Sequence, residues 1–191
     1  MDYSNADRYC EPCQRMFQSA HNLKQHQRSK IHMGSSMKCP FCPTKYPTAS
    51  ALIIHLESGT CRSGIDRARI NAEIRRLDRN HVITTRQIEY PTFSASTNIA
   101  SERSWNGYYY ECTLCNAEFV TLMRLNAHLR SPVHDQKMYR CPGPRCGKDF
   151  RLLSGLVQHV ESESCGVMRF ENVQREARGG VDRMIGRMIG N

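Results

Sequence analysis

Apolar side chains in this chain fall in short, repeated groups rather than long runs. Four times an aromatic residue (Phe17, Tyr46, Phe119, Phe150) is followed six positions later by a leucine (Leu23, Leu52, Leu125, Leu156). Each leucine stands three residues before a histidine, so the two share one face of a helix, and the aromatic ahead of them suits a short hairpin packed on that face. The pattern predicts four small units of hairpin plus helix. Between the second and third, Ile70, Ile74 and Leu77 recur at i, i+4 and i+7 among Arg67, Arg69, Arg75, Arg76 and Arg79, which predicts a basic amphipathic helix over Asp66 to Asn80. Val82 to Tyr90 fits either a short strand or a capped helical turn starting at Thr84. Pro91 to Gly107, rich in Ser and Thr and without period, reads as a flexible connector, so the two halves are expected to move independently. Phe170, Val173, Ala177, Val181, Ile185 and Met188 form a last apolar stripe with Arg169, Arg175, Arg178, Arg183 and Arg187, interrupted at Gly179-Gly180. Each basic helix is expected to cover the exposed face of the pair of units before it.

Cysteine and histidine occupy fixed places in those four units. The first reads Cys10-x2-Cys13-x12-His26-x5-His32 and the second Cys39-x2-Cys42-x12-His55-x5-Cys61. The third is Cys112-x2-Cys115-x12-His128-x5-His134, and the fourth Cys141-x4-Cys146-x12-His159-x5-Cys165. All ten cysteines and six of the eight histidines are used; only His21 and His81 are left over, and His81 reads as a surface or turn residue. Two thiolates at a hairpin turn facing two ligands one to two turns apart on a helix make a tetrahedral site for zinc, so the cofactor expected is four Zn2+ ions. Units this small cannot bury enough apolar surface to fold alone; the metal's binding free energy, about 10–16 kcal/mol per site in small zinc peptides, is then their folding energy. The distances from Cys10 to Cys112 and from Cys39 to Cys141 are both 102 residues, so the repeated element is the pair of units.

Composition narrows the class. The first residues lack the apolar stretch of a leader, and no run of about 18 apolar residues appears, which excludes a membrane span and leads us to expect a soluble, intracellular protein whose thiols stay reduced. Met1 to Asp7 is expected to be disordered. A formal charge of +9 and a pI near 9.2 favour a polyanionic partner, nucleic acid first among them.

Each unit resembles a C2H2 zinc finger, and the x5 histidine spacing with Ser29-Lys30-Ile31-His32 and Ser131-Pro132-Val133-His134 is similar to fingers of the double-stranded-RNA-binding type. The second finger of each pair departs by ending in cysteine. Its Cys39-Pro40 or Cys141-Pro142 opening, its ending at His55 to Cys61 or His159 to Cys165, and the Asp-Arg-Asn-x-Val-Ile-Thr stretch after Cys61 resemble zinc-finger proteins of filamentous fungi. The resemblance implies small zinc-stabilised ββα fingers, zinc binding and a nuclear, nucleic-acid-associated role; fingers of this kind serve DNA, RNA or protein. The organisation expected is finger 1 over residues 8–32 (CCHH), finger 2 over 37–61 (CCHC), a linker with a basic helix over 62–109, finger 3 over 110–134 (CCHH), finger 4 over 139–165 (CCHC) and a basic helical tail over 166–191: two tandem finger pairs joined by a helical and flexible linker.

In DNA-reading fingers the base contacts come from helix positions −1, 3 and 6. Here these are Ser19, Asn22 and Gln25; Thr48, Ala51 and Ile54; Thr121, Arg124 and Ala127; Leu152, Gly155 and Gln158. A single arginine among them, and no Thr-Gly-Glu-Lys-Pro linker, argue against an array reading successive bases. Finger 1 offers Asn22, Lys24, Gln25, Arg28 and Lys30, and finger 3 offers Arg124 and Arg130, whereas Glu57, Glu161 and Glu163 lie in fingers 2 and 4. Fingers 1 and 3 are therefore expected to contact nucleic acid, DNA or RNA, through backbone and shape, while fingers 2 and 4 brace them or bind protein. Four protein ligands at every site leave no place for a water, which argues against an enzyme and a small-molecule substrate. The rival is a protein-interaction adaptor, suited by Ala51, Ile54, Leu152 and Leu153. No compact import signal is present, and nuclear localisation follows from class alone.

Overall fold

The computed structural model describes residues 3–85 and 99–189. Four two-residue antiparallel hairpins, each followed by a helix, form four ββα fingers in two pairs. Finger 1 has β1 (Tyr9–Cys10), β2 (Arg15–Met16), α1 (Ala20–Gln27) and a short second helix, α2 (Lys30–Met33). Finger 2 has β3 (Met37–Lys38), β4 (Lys45–Tyr46) and α3 (Ala49–Glu57), followed by α4 (Arg67–Leu77). Finger 3 has β5 (Tyr110–Glu111), β6 (Glu118–Phe119) and α5 (Leu122–Arg130); finger 4 has β7 (Tyr139–Arg140), β8 (Asp149–Phe150) and α6 (Leu153–Glu161), followed by α7 (Phe170–Ile189). Strands this short have almost no hydrogen-bonded ladder of their own, so each unit is held by its small core and by what its cysteines and histidines bind.

The four leucines marked by the pattern are all buried, and each aromatic partner lies against the first histidine of its finger, with ring centroids 4.6–5.1 Å apart. Helix starts follow hydroxyl caps: Ser19, Thr48 and Thr121 accept from the backbone N–H of Asn22, Ala51 and Arg124. Leu152, at the same place in finger 4, has no such group.

The two halves do not move independently. Fingers 2 and 4 pack through α3 and α6, and one apolar core joins Leu52, Ile53 and Leu56 to Leu153, Leu156 and Val160, with Ile70 of α4 and Val173 of α7. The helices run antiparallel, and the carboxylate ending each one binds the amino end of the other. Glu57 accepts from the N–H of Leu153 at 2.9 Å and from the Ser154 hydroxyl at 2.5 Å. Glu161 accepts from the Ser50 N–H at 3.1 Å and from the Ser50 hydroxyl, and Gln174 of α7 fills the remaining gap by taking the Ala49 N–H at 2.7 Å while donating to Glu161. A carboxylate at a helix amino end satisfies orphan donors and meets the positive end of the helix dipole, which is why the buried Glu161 and the half-buried Glu57 are tolerated.

Connectors expected to be slack are also engaged. α4 begins at an Asp66 cap, as the amphipathic pattern predicts, but it covers more than its own finger pair: Tyr139 of finger 4, fully buried, donates its hydroxyl to Asn71 at 2.7 Å. α7 likewise reaches across to finger 2, where Arg178 contacts the Met37 sulfur and the Ser36 hydroxyl. Of the stretch left open after α4, the described part is extended rather than helical: Thr84 forms an isolated bridge with Tyr139, with Thr85 N–H to Met138 C=O and Arg140 N–H to Ile83 C=O both at 2.8 Å, while residues 86–90 lie outside the described residues. The turn into it is built on Asp78. Burial works against that carboxylate, but the N–H groups of Val82, Ile83 and Thr84 and the Thr84 hydroxyl outweigh it and hold its pKa below the usual range.

Three further expectations change. Part of the connector is ordered against finger 3, where Ala100 and Asn126 exchange two hydrogen bonds and Glu102–Ser104 forms a 3-10 turn; residues 91–98 of it lie outside the described residues. Tyr3–Arg8 forms a 3-10 helix, Met1 and Asp2 lying outside the described residues. α7 continues through Gly179-Gly180, because glycine lowers helix stability without blocking its backbone hydrogen bonds; side chains of the stripe beyond Gly180 lie outside the described ones.

Candidate metal centres and nucleic-acid surface

The hairpin of each finger carries the two cysteines and the helix carries the histidine, so folding the helix onto the aromatic brings the ligands together. Cys10, Cys13, His26 and His32 form one group; Cys39, Cys42, His55 and Cys61 a second; Cys112, Cys115, His128 and His134 a third; Cys141, Cys146, His159 and Cys165 a fourth, with the donor atoms of each group within 4.8 Å of one another. A tetrahedral zinc site, with bonds of about 2.3 Å to sulfur and 2.0–2.1 Å to nitrogen, requires ligand-to-ligand edges of roughly 3.3–3.8 Å. The sulfur-to-nitrogen edges at the four sites are 3.3–3.5 Å, the sulfur-to-sulfur edges Cys39–Cys61 and Cys141–Cys165 are 3.9 and 3.7 Å, and the nitrogen-to-nitrogen edges His26–His32 and His128–His134, at 2.9 and 3.0 Å, are shorter than the tetrahedral edge. All six ligand histidines turn Nε2 inward. In fingers 2 and 4 the outer nitrogen is steadied the same way: Nδ1 of His55 lies 3.4 Å from the Thr60 hydroxyl and Nδ1 of His159 lies 3.4 Å from that of Ser164. The residues fit zinc.

The thiols are tuned in opposite directions within a site. Burial pushes Cys39 and Cys141 up to about 11, whereas the Thr44 hydroxyl, with the backbone beside it, brings Cys42 down to about 6. Burial lowers the pKa of His26, His128 and His159, which keeps them in the neutral form that ligates. A thiol protonated until a cation arrives must release its proton to bind it, so loading these sites liberates acid.

The amino ends of the helices are divided between two uses. In fingers 2 and 4 they are buried in the contact described above, with Ala49 at 0 %, Ser50 at 6 % and Ser154 at 3 % exposure. In fingers 1 and 3 they face solvent: Asn22 and Gln25 of α1 and Arg124 of α5 are exposed, as are Lys30 and Arg130. Ser19, Thr48 and Thr121, at the outermost reading position, are instead helix caps.

Lys24 and Arg28, grouped with these by sequence, are already engaged within the chain. Lys24 lies 2.5 Å and Arg28 3.2 Å from the Glu163 carboxylate of finger 4; Arg28 also donates to the Glu161 carbonyl and stacks over Phe170 at 4.3 Å. The Arg28 side chain is 14 % exposed. Glu163, held down to about 2 by Lys24 and by the Phe170 N–H, adopts a left-handed backbone with φ of 59°. The corresponding residue of finger 2 is Gly59, with φ of 69°. A non-glycine residue there stores about 1–2 kcal/mol of strain, and finger 4 holds it in exchange for the contact with finger 1. Finger 3 meets the first half differently: Arg67 of α4 pairs with Asp135 at 3.0 Å and donates to the Arg130 carbonyl, leaving the Arg130 side chain exposed.

Sequence reasoning missed Glu57, Glu161 and Glu163, which it read as surface acids that keep phosphates away. The available signal was their repeated place: Glu57 and Glu161 both follow the first histidine by two residues and a serine by seven. Missed as well was Tyr108, 80 % exposed on a turn fixed by Asn106, whose side chain accepts from the Tyr108 and Tyr109 N–H groups.

No curated protein matches the chain. Residues 7–32 match the family described as zinc-finger double-stranded RNA-binding, and residues 110–134 match the family described as zinc-finger of C2H2 type. No helix among the described residues is long and apolar enough to cross a membrane. The chain carries C2H2-type zinc fingers, the first similar to the double-stranded RNA-binding type, with four sites suited to zinc.

Proposed function

We propose that this is a zinc-dependent, non-enzymatic protein that binds duplex RNA through fingers 1 and 3, while fingers 2 and 4 form the scaffold that holds them. The observation that carries the reading is the burial of the amino ends of α3 and α6, because a finger reads a groove with that end of its helix. Only α1 and α5 remain for the task, and they belong to the two stretches that match zinc-finger families, the first of them a double-stranded RNA-binding one. Asn22, Gln25 and Lys30 on finger 1 and Arg124 and Arg130 on finger 3 supply the polar and cationic contacts. A-form RNA hides its base edges in a deep, narrow major groove, so backbone, 2′-hydroxyl and shape carry such binding, in keeping with the scarcity of base-reading arginine. Four protein donors per metal group support a structural ion rather than a catalytic one. By its class we place the protein in the nucleus, which a fluorescent fusion tests.

The test is binding of the zinc-loaded protein to double-stranded RNA, duplex DNA and single strands across a salt series. The expected result is preference for double-stranded RNA, with affinity falling steeply as salt rises. Preference for duplex DNA would reassign the target; weak binding to all, with a flat salt response, would favour the second reading, a protein adaptor. That reading has its own observation: Tyr108 at 80 % and Met123 at 78 % exposure give finger 3 an apolar, aromatic surface.

A further inference from the structure

Fingers 2 and 4 meet through surfaces that are copies of one another. Ser50 and Ser154 each stand second in their helix, and Glu57 and Glu161 each close it seven residues later. Each glutamate takes the serine hydroxyl and N–H of the other finger, around an apolar centre of Leu52 and Leu56 on one side and Leu156 and Val160 on the other. The reciprocity extends beyond the fingers: the helix after finger 2 reaches Tyr139 on the first strand of finger 4, and the helix after finger 4 reaches Met37 on the first strand of finger 2, the two residues being 102 positions apart. The serine–glutamate exchange is the same in both directions, while the contacts around it fall at matching places with different side chains.

A surface that fits a copy of itself also fits that copy on another chain. An unrelated partner would have to bring both a carboxylate for an occupied helix end and a bare helix end for the carboxylate it meets, spaced as Ser50 and Glu57 are; a finger of the same kind brings both.

We propose that the face formed by Ser50, Leu52, Leu56 and Glu57, with its counterpart on finger 4, is a finger-pairing module whose partner in trans is a second copy of this chain, the first half of one copy taking the second half of the other. Nothing in this depends on what fingers 1 and 3 bind. The interface inside the monomer and the interface between copies are one and the same, so concentration sets the balance between them.

The experiment uses the full zinc-loaded chain with a specific protease site inserted between Thr85 and Ile99. After cleavage, unlabelled and isotopically heavy samples are stripped of zinc together, reloaded and weighed by native mass spectrometry. The expected result is one-to-one complexes of the two halves carrying four zinc ions, with light–heavy hybrids making up about half of them, as random re-pairing requires. The paired variant Glu57→Gln with Glu161→Gln should retain zinc while its halves associate roughly tenfold more weakly or worse. Halves that hold zinc yet travel as separate monomers would overturn the proposal, as would a paired variant that associates as tightly as the parent.

Discussion

In ligand type, fingers 1 and 3 differ from fingers 2 and 4 by one change, a final cysteine in place of histidine, yet they differ far more in what their helices do. In the outer fingers each helix is capped by its own serine or threonine and presents its first turn to solvent. In fingers 2 and 4 the first turns are buried, and each is closed by a glutamate from the opposite half of the chain, α3 keeping its own Thr48 cap as well. The same ββα unit thus serves as a presented surface in one setting and as half of a core in the other. What separates them is the serine–glutamate pair more than the apolar face: Ser50 and Glu57, and Ser154 and Glu161, stand where finger 1 has His21 and Arg28 and finger 3 has Met123 and Arg130, whereas α5 carries Leu122, Leu125 and Leu129 at the places of Leu153, Leu156 and Val160.

Metal removal breaks the comparison most severely. Cys39→Ser unfolds finger 2, and because finger 4 rests on it, the zinc content should fall by about two ions, whereas Cys10→Ser should cost about one. Elemental analysis after gel filtration checks both. Next, Leu56→Ala opens a cavity at the centre of the inner contact and should lower stability by about 2–5 kcal/mol in denaturant titration, a loss that no single alanine on the exposed face of α1 should approach. Glu161→Ala, which leaves the Ser50 N–H buried without its acceptor, should cost about 1–3 kcal/mol by the same measurement. In the outer fingers stability should hardly move: Arg124→Ala with Arg130→Ala should weaken binding to duplex RNA and flatten its salt dependence while leaving the melting temperature within about 1 °C.

The finest test separates the two outer fingers. Glu163→Gly puts into finger 4 the residue that finger 2 has at the equivalent left-handed position, which relieves strain as it removes the partner of Lys24 and Arg28. Its net effect on stability should be small, and RNA affinity, read by fluorescence anisotropy, should rise by up to a few-fold as Lys24 becomes available, Arg28 staying held by the Glu161 carbonyl and Phe170.

Much of this molecule was legible in its sequence, for a definite reason. The ligands and the aromatic–leucine pairs act within one finger, at separations that a helix and a hairpin fix, so Cys10 to His32 or Phe119 to Leu125 can be read without knowing anything farther away. The amphipathic helix after finger 2 and its Asp66 start were legible on the same grounds. What could not be read acts between residues 97 to 139 positions apart. Glu57 and Ser154, or Lys24 and Glu163, carry no local mark of their partner, and a solvated acid looks the same in sequence as one that caps a helix of the other half. The expectation of independent halves failed there: it rested on the composition of the connector, whereas the contact is made by the fingers. The cationic surface was divided for the same reason, since Arg28 and Arg130 occupy matching places but only Arg28 meets a carboxylate.

The most direct measurement of the division of labour is the backbone amide spectrum of the zinc-loaded protein titrated with duplex RNA. The account predicts shifts concentrated in α1 and α5 and their flanking turns, with Ser50, Glu57, Ser154 and Glu161 unmoved. Large shifts in the first turns of α3 and α6, or none in α1 and α5, would contradict it.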